Sequence, residues 1–344
     1  MSQSDLADLL AQLAKIEGHP HADQWLKILR SLVGMLQGEL SRLDIKILAS
    51  TLHDMEMGYR AFAPYQHHRK VVIFGSARLD PSSAEYQHAL HFAQCITQEG
   101  FMVLTGGGGG IMEAGNRGAG LNNSFGLNIQ LPFEQSANPV LAASDRVIHF
   151  KYFFSRKLFF LKESDAIALF PGGFGTQDEA FECLTLMQTG KAQIMPLILI
   201  DKPGGAYWQE WDQYVREHLL VRGLVSPEDL HLYQVTDDIG VACQAIKDFY
   251  RVFHSHRYVK GQLVLRINQA PSSMALGILN AEFKDILTQG EIELKAALPE
   301  EDGELPHLPR LVMDFNQRNF GRLWQLIRRL NELCILPDAH PEYK

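Results

Sequence analysis

The chain has 344 residues, a length that predicts two folded units, or one unit with appendages, rather than a single core. Its 46% hydrophobic and 21% charged residues are typical of a soluble globular protein. A formal net charge of −8 disfavours a nucleic-acid partner, which would require a basic face, but backbone amides can still hold a small phosphorylated ligand.

No stretch of the sequence approaches the ~20 consecutive apolar residues that span a bilayer, and the first residues do not resemble a secretory signal. The histidine pairs lack acidic or cysteine partners nearby, so we expect no metal, and we also expect no cofactor. Scattered cysteines without metal-ligand spacing indicate a reducing cytoplasm. The four cysteines are Cys95, Cys183, Cys243 and Cys334.

Residues 1–69 form the first predicted segment, which is helical. Apolar residues recur there at intervals of three and four, as in the run from Trp25 to Leu36. We expect two or three amphipathic helices that pack on the core or on a second subunit.

The spacing of apolar residues changes at Val71, where short apolar runs begin to alternate with helical patterns. Continuous apolar strands separated by helices predict βαβ units and a parallel sheet that is buried on both faces. We therefore expect a Rossmann-like α/β fold with a doubly wound parallel sheet over residues 70–250. The predicted strands are 71–75, 101–106, 125–131, 146–150, 166–170 and 196–201, and the predicted helices are 82–99, 110–120, 152–164, 176–189 and 206–220.

After residue 250 the order of elements changes to strand, helix, strand, strand, helix. This order predicts a small α+β module over residues 251–344, which we interpret as regulatory or as a dimerisation module. The predicted strands are 261–268, 291–298 and 309–316, and the helices are 272–287 and 320–333.

Five consecutive glycines, residues 106–110, follow directly after a predicted strand. Such a loop lets backbone N–H groups approach a phosphate at the N-terminus of the next helix, although a merely permissive turn is the alternative. The dinucleotide pattern G-x-G-x-x-G fails in every register, and no GxxxxGK[ST] is present. The loop therefore predicts neither an NAD-type site nor a P-loop NTPase.

A second glycine-rich turn, PGGFGTQDEAFE at 171–182, also follows a strand and opens a helix. Two such turns at the carboxyl edge of one sheet are more specific than either alone, because they can close around one ligand. The turn after the first strand, with Gly75 and Ser76, is a third small turn at the same edge of the sheet. The candidate phosphate-binding residues are Gly75, Ser76, Gly107, Gly108, Gly109, Gly172, Gly173, Gly175 and Thr176.

Charged residues beside the second turn are candidates for chemistry. Glu179 is predicted to face the sugar of a bound nucleotide while amides of 172–176 hold its phosphate. The alternative is a capping box, because Thr176 and Glu179 have that spacing at a helix start. Arg156 is a candidate fixed charge for phosphate or sugar, and surface solvation of Arg156 and Lys157 is the alternative.

Together these motifs resemble the LOG ("lonely guy") family, whose members long carried the name lysine decarboxylase. The resemblance covers residues 70–250, about half the chain, and the flanking segments look broadly like the extended bacterial form. Where plant and fungal members usually have a serine in the first glycine loop, this chain has glycine, as bacterial relatives do. The matching motifs are GSAR (75–78), TGGGGGIMEAGNRGA (105–119), LPFEQSANP (131–139), SRK (155–157) and PGGFGTQDE (171–179).

The resemblance implies hydrolysis of a nucleoside 5′-monophosphate, of AMP or cytokinin riboside type, to a free base and ribose 5-phosphate. It implies Arg156 and Glu179 as the catalytic pair and Lys157 as a contact to the substrate phosphate. Glu134 and Asn138 are assigned to the base pocket. The family also implies a homodimer or higher homo-oligomer.

Two other classes of function remain open. A non-catalytic nucleotide sensor needs only the phosphate loops, so the presence of both Arg156 and Glu179 favours the enzyme. A structural protein that acts through its N-terminal helices is the third class. A lysine decarboxylase would require a Schiff-base lysine for pyridoxal phosphate, and no lysine has a recognisable setting for it.

Overall fold

The computed structural model describes residues 11–129, 137–142 and 144–334. The chain divides into two compact units, Met1–Met55 and Glu56–Lys344. The first unit contains the helix α1 (Ala22–Leu36). The helix α2 (Arg42–Phe62) begins in the first unit and ends in the second. Ser41 and Asp44 exchange hydrogen bonds between side chains and backbone amides at the start of α2, which satisfies amides that have no partner within the helix.

The second unit contains a seven-stranded parallel sheet with the strand order β4-β3-β2-β1-β5-β6-β7. The first six strands confirm the six that the apolar runs predict, and the sheet confirms the Rossmann-like α/β fold class. Its strands are β1 (Lys70–Phe74), β2 (Met102–Thr105), β3 (Ser124–Ile129), β4 (Val147–Phe150), β5 (Ala166–Leu169), β6 (Leu197–Ile200) and β7 (Gln234–Thr236).

Helices cover both faces of this sheet, as continuous apolar strands require. One face packs against α3, α4 and α8 in a single apolar core. On the other face, the rings of Phe159 and Phe160 pack against Phe150 and Phe74 of the sheet. The helices are α3 (Ala84–Gln98), α4 (Ile111–Ala119), α5 (Phe153–Lys162), α6 (Phe174–Gln188), α7 (Tyr207–Tyr214) and α8 (Ile239–Val252).

A four-stranded antiparallel sheet follows, with the order β10-β11-β9-β8, and two helices share an apolar core with it. This confirms the small α+β module predicted for the end of the chain. Its elements are β8 (Phe253–Val259), β9 (Gln262–Ile267), α9 (Ser273–Glu282), β10 (Leu287–Lys295), β11 (Arg310–Phe315) and α10 (Phe320–Leu333).

Two strands, β7 and β8, were not predicted from the sequence. Both lie at the edge of their sheet, and most of their residues are only half-buried. Partial exposure lets polar residues into an edge strand, so the apolar run that signals a central strand is absent. None of the helices in the described ranges combines the length and apolar character that a membrane span requires.

Candidate active site at the carboxyl edge of the parallel sheet

The site lies where the strand order of the parallel sheet reverses. β1 pairs with β2 on one side and with β5 on the other, so the loops that follow β1 and β5 leave the sheet side by side. The Ser76 N–H donates to the Pro171 carbonyl at 3.1 Å and joins these loops directly. The structure thus brings together Gly75, Ser76 and the second glycine turn, as predicted for one edge.

The first glycine loop packs closely against the loop after β1. A Cβ on Gly110, which has a φ of +61°, would lie 2.3 Å from the Ser76 carbonyl oxygen, so only glycine fits there. The adjacent Ile111 N–H donates to that same oxygen at 3.0 Å. The run of glycines therefore lets two loops approach within backbone contact at the N-terminus of α4.

A buried polar network fixes the shape of this loop. The Thr105 hydroxyl donates to Asn116 Oδ1 at 2.7 Å and accepts from the Gly107 N–H at 2.9 Å. The Asn138 amide donates to the Gly108 carbonyl and to Asn116 Oδ1. Asn138, assigned to the base pocket from the sequence, is thus buried beneath the loop with its amide engaged, which favours a role in positioning the loop.

The second glycine turn leads directly into α6. The helix begins at Phe174 with Gly173 as its N-cap, and no side chain caps it. Thr176 therefore lies inside the helix, and the capping-box alternative for Thr176 and Glu179 is wrong. Gly173, Phe174 and Gly175 are exposed residues, and the first amides of a helix lack intrahelical partners, so this turn is a surface-exposed helix N-terminus at the positive end of the helix dipole.

Tyr207, from α7, supports the second turn from outside. Its hydroxyl donates to the Gly172 carbonyl at 2.5 Å and accepts a hydrogen bond from the Gln177 amide at 2.6 Å. A Cβ on Gly172 would lie 2.1 Å from Thr176 Oγ1, so the turn has no room for a side chain there. The buried Thr176 hydroxyl is thus packed against the turn.

Arg156, on α5, is held against the first glycine loop. Its Nε donates to the Leu127 carbonyl at 2.8 Å, and its guanidinium lies 5.1 Å from the centroid of the Phe160 ring. A Cβ on Gly106 would lie 2.5 Å from a guanidinium nitrogen, so the glycine makes room for the cation. Burial lowers the pKa of Arg156 and the negative charge of Glu179 opposes this shift. Arg156 is therefore a fixed, partly desolvated cation rather than a solvated surface residue.

Lys157 is surrounded by three carboxylates of α6. Its Nζ lies 2.7 Å from Asp178 Oδ2 and 3.5 Å from Glu179 Oε1, and it also forms an ion pair with Glu182. Burial lowers the pKa of Lys157, but the hydrogen bonds to Asp178 and Glu182 outweigh it and raise the pKa overall. Lys157 is therefore the cation that contacts Glu179 directly, whereas Arg156 acts on Glu179 from a greater distance.

The pKa of the Glu179 carboxyl is strongly perturbed. Its pKa is raised to about 7, chiefly by burial; the charges of Glu182 and Asp178 add to the shift, and those of Lys157 and Arg156 oppose it. The side chain is only 13% exposed. Three carboxylates share one lysine, so Glu179 is not fully compensated and holds its proton to near-neutral pH.

The structure brings together the predicted residues Arg156, Lys157 and Glu179 beside the two glycine loops. Glu134 lies outside the described residues. The roles of Tyr207 and Glu182 were not predicted from the sequence. The spacing of Asp178 and Glu182, four residues apart on one helix, is a signal that could have identified a shared partner. Within the described ranges, no group of histidine, cysteine and acidic residues could hold a metal ion.

Comparison with protein families finds one match. Residues 109–246, which include Arg156, Glu179 and the last two of the five glycines of the first loop, match the model of a family described as "Possible lysine decarboxylase". A comparison with curated proteins gives no match.

Several solved structures are similar over 52% of this chain. The molybdenum cofactor binding protein of Rippkaea orientalis is 21% identical, with 93% of its chain covered and a TM-score of 0.37. The Moco carrier protein of Chlamydomonas reinhardtii is 20% identical, with 96% covered and a TM-score of 0.36. DNA processing protein A of Helicobacter pylori is 16% identical, with 79% covered and a TM-score of 0.36. At these values the likeness carries no information about ligands or activity.

Proposed function

This chain carries a LOG-type domain over residues 109–246, and from that premise we propose that it hydrolyses the N-glycosidic bond of a nucleoside 5′-monophosphate. The products are a free base and ribose 5-phosphate. The observation that carries the proposal is the Glu179 carboxyl, whose pKa of about 7 suits proton transfer at neutral pH, on a helix whose exposed N-terminus no side chain caps.

The phosphate binds at the start of α6 in this proposal. The exposed residues Gly173, Phe174 and Gly175 form the start of a helix that no side chain caps, which supports an anion site at the positive end of the helix dipole. The first glycine loop, at the N-terminus of α4, supplies further amides. Such a site requires no net positive charge in the protein, in agreement with the formal charge of −8.

Glu179 acts on the sugar and on water. In its ionised form it accepts a proton from a water molecule as the water oxygen bonds to the anomeric carbon. The electron pair of the breaking C–N bond moves onto the base, and the base then takes up the proton that Glu179 accepted from water, so that the free base leaves and Glu179 returns to its ionised form. The carboxylate also stabilises the positive charge that develops on the ribose ring. A carboxyl with a pKa near 7 is a stronger base than an ordinary glutamate and is still ionised in part at neutral pH.

The two cations have separate roles in this scheme. Lys157 holds the Glu179 carboxylate in place through its ion pair. Arg156 is anchored by the Leu127 carbonyl, so its charge stands at a fixed position beside the first glycine loop, where it stabilises phosphate or ribose oxygens. Both are positioned before substrate binds.

The description "Possible lysine decarboxylase" fits this site poorly. A lysine that forms a Schiff base with pyridoxal phosphate must lose its proton first. The three carboxylates around Lys157 hold its pKa above the ordinary value, so its amine stays protonated. We therefore favour hydrolysis of a glycosidic bond.

The test is base release from a panel of nucleotides. The purified chain is incubated with AMP, GMP, CMP, UMP, IMP and N6-prenylated AMP, and with adenosine to test the need for a phosphate. Free base is measured by chromatography for the wild type, Glu179→Gln and the control Glu217→Gln, whose carboxylate is exposed and contacts Gln213. Release that is lost only in Glu179→Gln supports the proposal. Tight binding of monophosphates without release would contradict hydrolysis and favour the sensor.

A further inference from the structure

A further loop reaches the candidate site from the strand next to β5. β6 pairs with β5 in parallel, so the loop after β6 leaves the same edge of the sheet as the second glycine turn. This loop spans residues 201–206 and leads into α7, whose first residue is Tyr207. The Tyr207 hydroxyl donates to the Gly172 carbonyl at 2.5 Å. The loop after β6 is therefore tied directly to the turn that opens α6.

The position of Tyr207 depends on Asp201, which is buried directly after β6. The Asp201 carboxylate accepts hydrogen bonds from the Lys202 N–H at 2.9 Å and from the Trp208 N–H at 3.3 Å, so it joins both ends of the loop. A Cβ on Gly205 would lie 2.2 Å from Asp201 Oδ1, so a side chain there would displace this carboxylate. The Tyr207 ring also stands edge-on to the buried Trp208 ring, at 4.8 Å between centroids. These contacts hold Tyr207 at the start of α7.

Both carbonyls of the second glycine turn accept a hydrogen bond from a neighbouring loop. The Pro171 carbonyl accepts from the Ser76 N–H at 3.1 Å. The Gly172 carbonyl accepts from the Tyr207 hydroxyl. The C=O and N–H of a trans peptide point in opposite directions, so the Gly173 N–H points away from Tyr207. Within the described ranges, the N–H groups of Gly172 and Gly173 donate to no acceptor, and a bound phosphate would supply one.

A second hydrogen bond sets the direction in which the Tyr207 hydroxyl donates. The Gln177 amide donates to the Tyr207 oxygen at 2.6 Å, which leaves the hydroxyl proton for the Gly172 carbonyl. Gln177 lies on α6, and Gly172 lies in the turn that precedes this helix. Tyr207 therefore ties the start of α6 to the turn from one side of the site.

We infer that Tyr207 is a positioning residue through which the site distinguishes a nucleoside 5′-monophosphate from the nucleoside. The inference rests on the proposed function, because that function places the substrate phosphate at this turn. Without the hydroxyl, the Gly172 carbonyl loses its donor, and the peptide that carries the Gly173 N–H is no longer held in one orientation. The affinity for the phosphate then falls. Among the described residues, no hydrogen bond joins Tyr207 to Glu179, so the chemical step is left unchanged.

The experiment compares Tyr207→Phe with Tyr214→Phe in the full-length chain. Both residues lie on α7 and both variants lose only a hydroxyl, but Tyr214 is 49% exposed and its ring lies beside that of His218. Binding of AMP and of adenosine is measured by isothermal titration calorimetry, and kcat and KM for base release from AMP are measured in parallel. Gln177→Leu, alone and combined with Tyr207→Phe, completes a double-mutant cycle.

We expect Tyr207→Phe to weaken AMP binding by about three- to tenfold and to raise KM by a similar factor, with kcat changed by less than about twofold. Adenosine binding is unchanged, and Tyr214→Phe behaves as the wild type. Gln177→Leu weakens AMP binding in the wild-type background but adds little in Tyr207→Phe, because the hydroxyl through which it acts is already absent.

Three results would overturn the inference. Tyr207→Phe could bind AMP as tightly as the wild type, it could lose affinity for AMP and adenosine equally, or the wild type could bind AMP no more tightly than adenosine. Equal losses would indicate general damage to the fold rather than a role toward the phosphate. Absence of base release with the expected binding pattern would contradict only the proposed hydrolysis, because the ratio of AMP to adenosine affinity requires no turnover.

Discussion

Two buried glutamates of this protein differ in how their charge is compensated. Glu301, in the C-terminal module, receives hydrogen bonds at 2.8 Å from the guanidinium groups of Arg266 and Arg310. Burial would raise the pKa of Glu301, but these bonds and one from the Leu298 amide lower it to about 2. Glu179 instead shares Lys157 with two other carboxylates, and its pKa is raised to about 7.

The difference separates a structural carboxylate from a reactive one. Arg310 is fully buried and also donates to the carbonyls of Glu304, Leu305 and Leu308, so the Glu301 ion pair holds the loop before β11 onto the sheet. A carboxylate that is so fully satisfied has no proton to exchange near neutral pH. The incompletely compensated Glu179 does, and it lies in the second turn of a helix whose exposed N-terminus no side chain caps.

The largest expected effect is on catalysis. Glu179→Gln removes the proposed base and lowers the rate of base release by about 10²–10⁴-fold, the range of general acid–base catalysis. The affinity for the monophosphate changes little, because the glycine loops hold the phosphate. Single-turnover kinetics and equilibrium binding measure the two effects separately. Equal losses of affinity and rate would contradict the assignment of Glu179 to chemistry.

The second prediction concerns the stability that the buried ion pair of Glu301 provides. Arg310→Met leaves Glu301 buried with one guanidinium fewer and lowers the free energy of unfolding by about 3–5 kcal/mol. In the control Arg257→Met, an ion pair with the largely exposed Glu304 is lost, which costs less than about 1 kcal/mol. Urea denaturation measures both. Similar losses for the two variants would show that the buried pair does not stabilise the module.

The pH dependence of stability should differ in sign for the two glutamates. The folded state binds the Glu179 proton more tightly than the unfolded state, so this group lowers stability as pH rises from about 4.5 to about 7. Glu179→Gln therefore gains about 1–3 kcal/mol over the wild type at pH 8 and little at pH 5. The Glu301 pKa is lowered, so its contribution is present above about 4.5 and is lost as pH falls toward about 2.

Thermal and chemical unfolding of Glu179→Gln at pH 5 and pH 8, with Glu217→Gln as control, measures the first of these effects. A gain at pH 5 as large as that at pH 8 would mean that titration of Glu179 is not its cause.

The smallest expected effect is on the pH dependence of kcat/KM. The charge of Glu182 raises the pKa of Glu179, and Glu182 also competes for Lys157. Glu182→Gln therefore moves the acidic limb of kcat/KM to lower pH by a fraction of a unit, with a modest change in the maximal rate. Profiles of Glu182→Gln and Glu217→Gln are compared. A shift of the limb to higher pH would contradict the proposed tuning of Glu179.

Prediction from the sequence was most successful where a pattern is local. Continuous apolar runs predicted six parallel strands because central strands are buried on both faces. The edge strands β7 and β8 were not predicted because half-buried strands lack that pattern. The helix α8 was also not identified. The start of α6 was placed two residues late, so Thr176 was considered as a cap although Gly173 occupies that position.

By itself, the sequence determined the Rossmann-like fold class, the two glycine turns at one sheet edge and the family to which they point, because these depend on short-range patterns of burial and backbone freedom. Only the tertiary structure decided which charges meet. Lys157 and Glu182 are 25 positions apart, and Asn138 reaches the Gly108 carbonyl across 30. The pKa of Glu179 depends on burial and on the charges around it, and both are set by how α5 packs against α6.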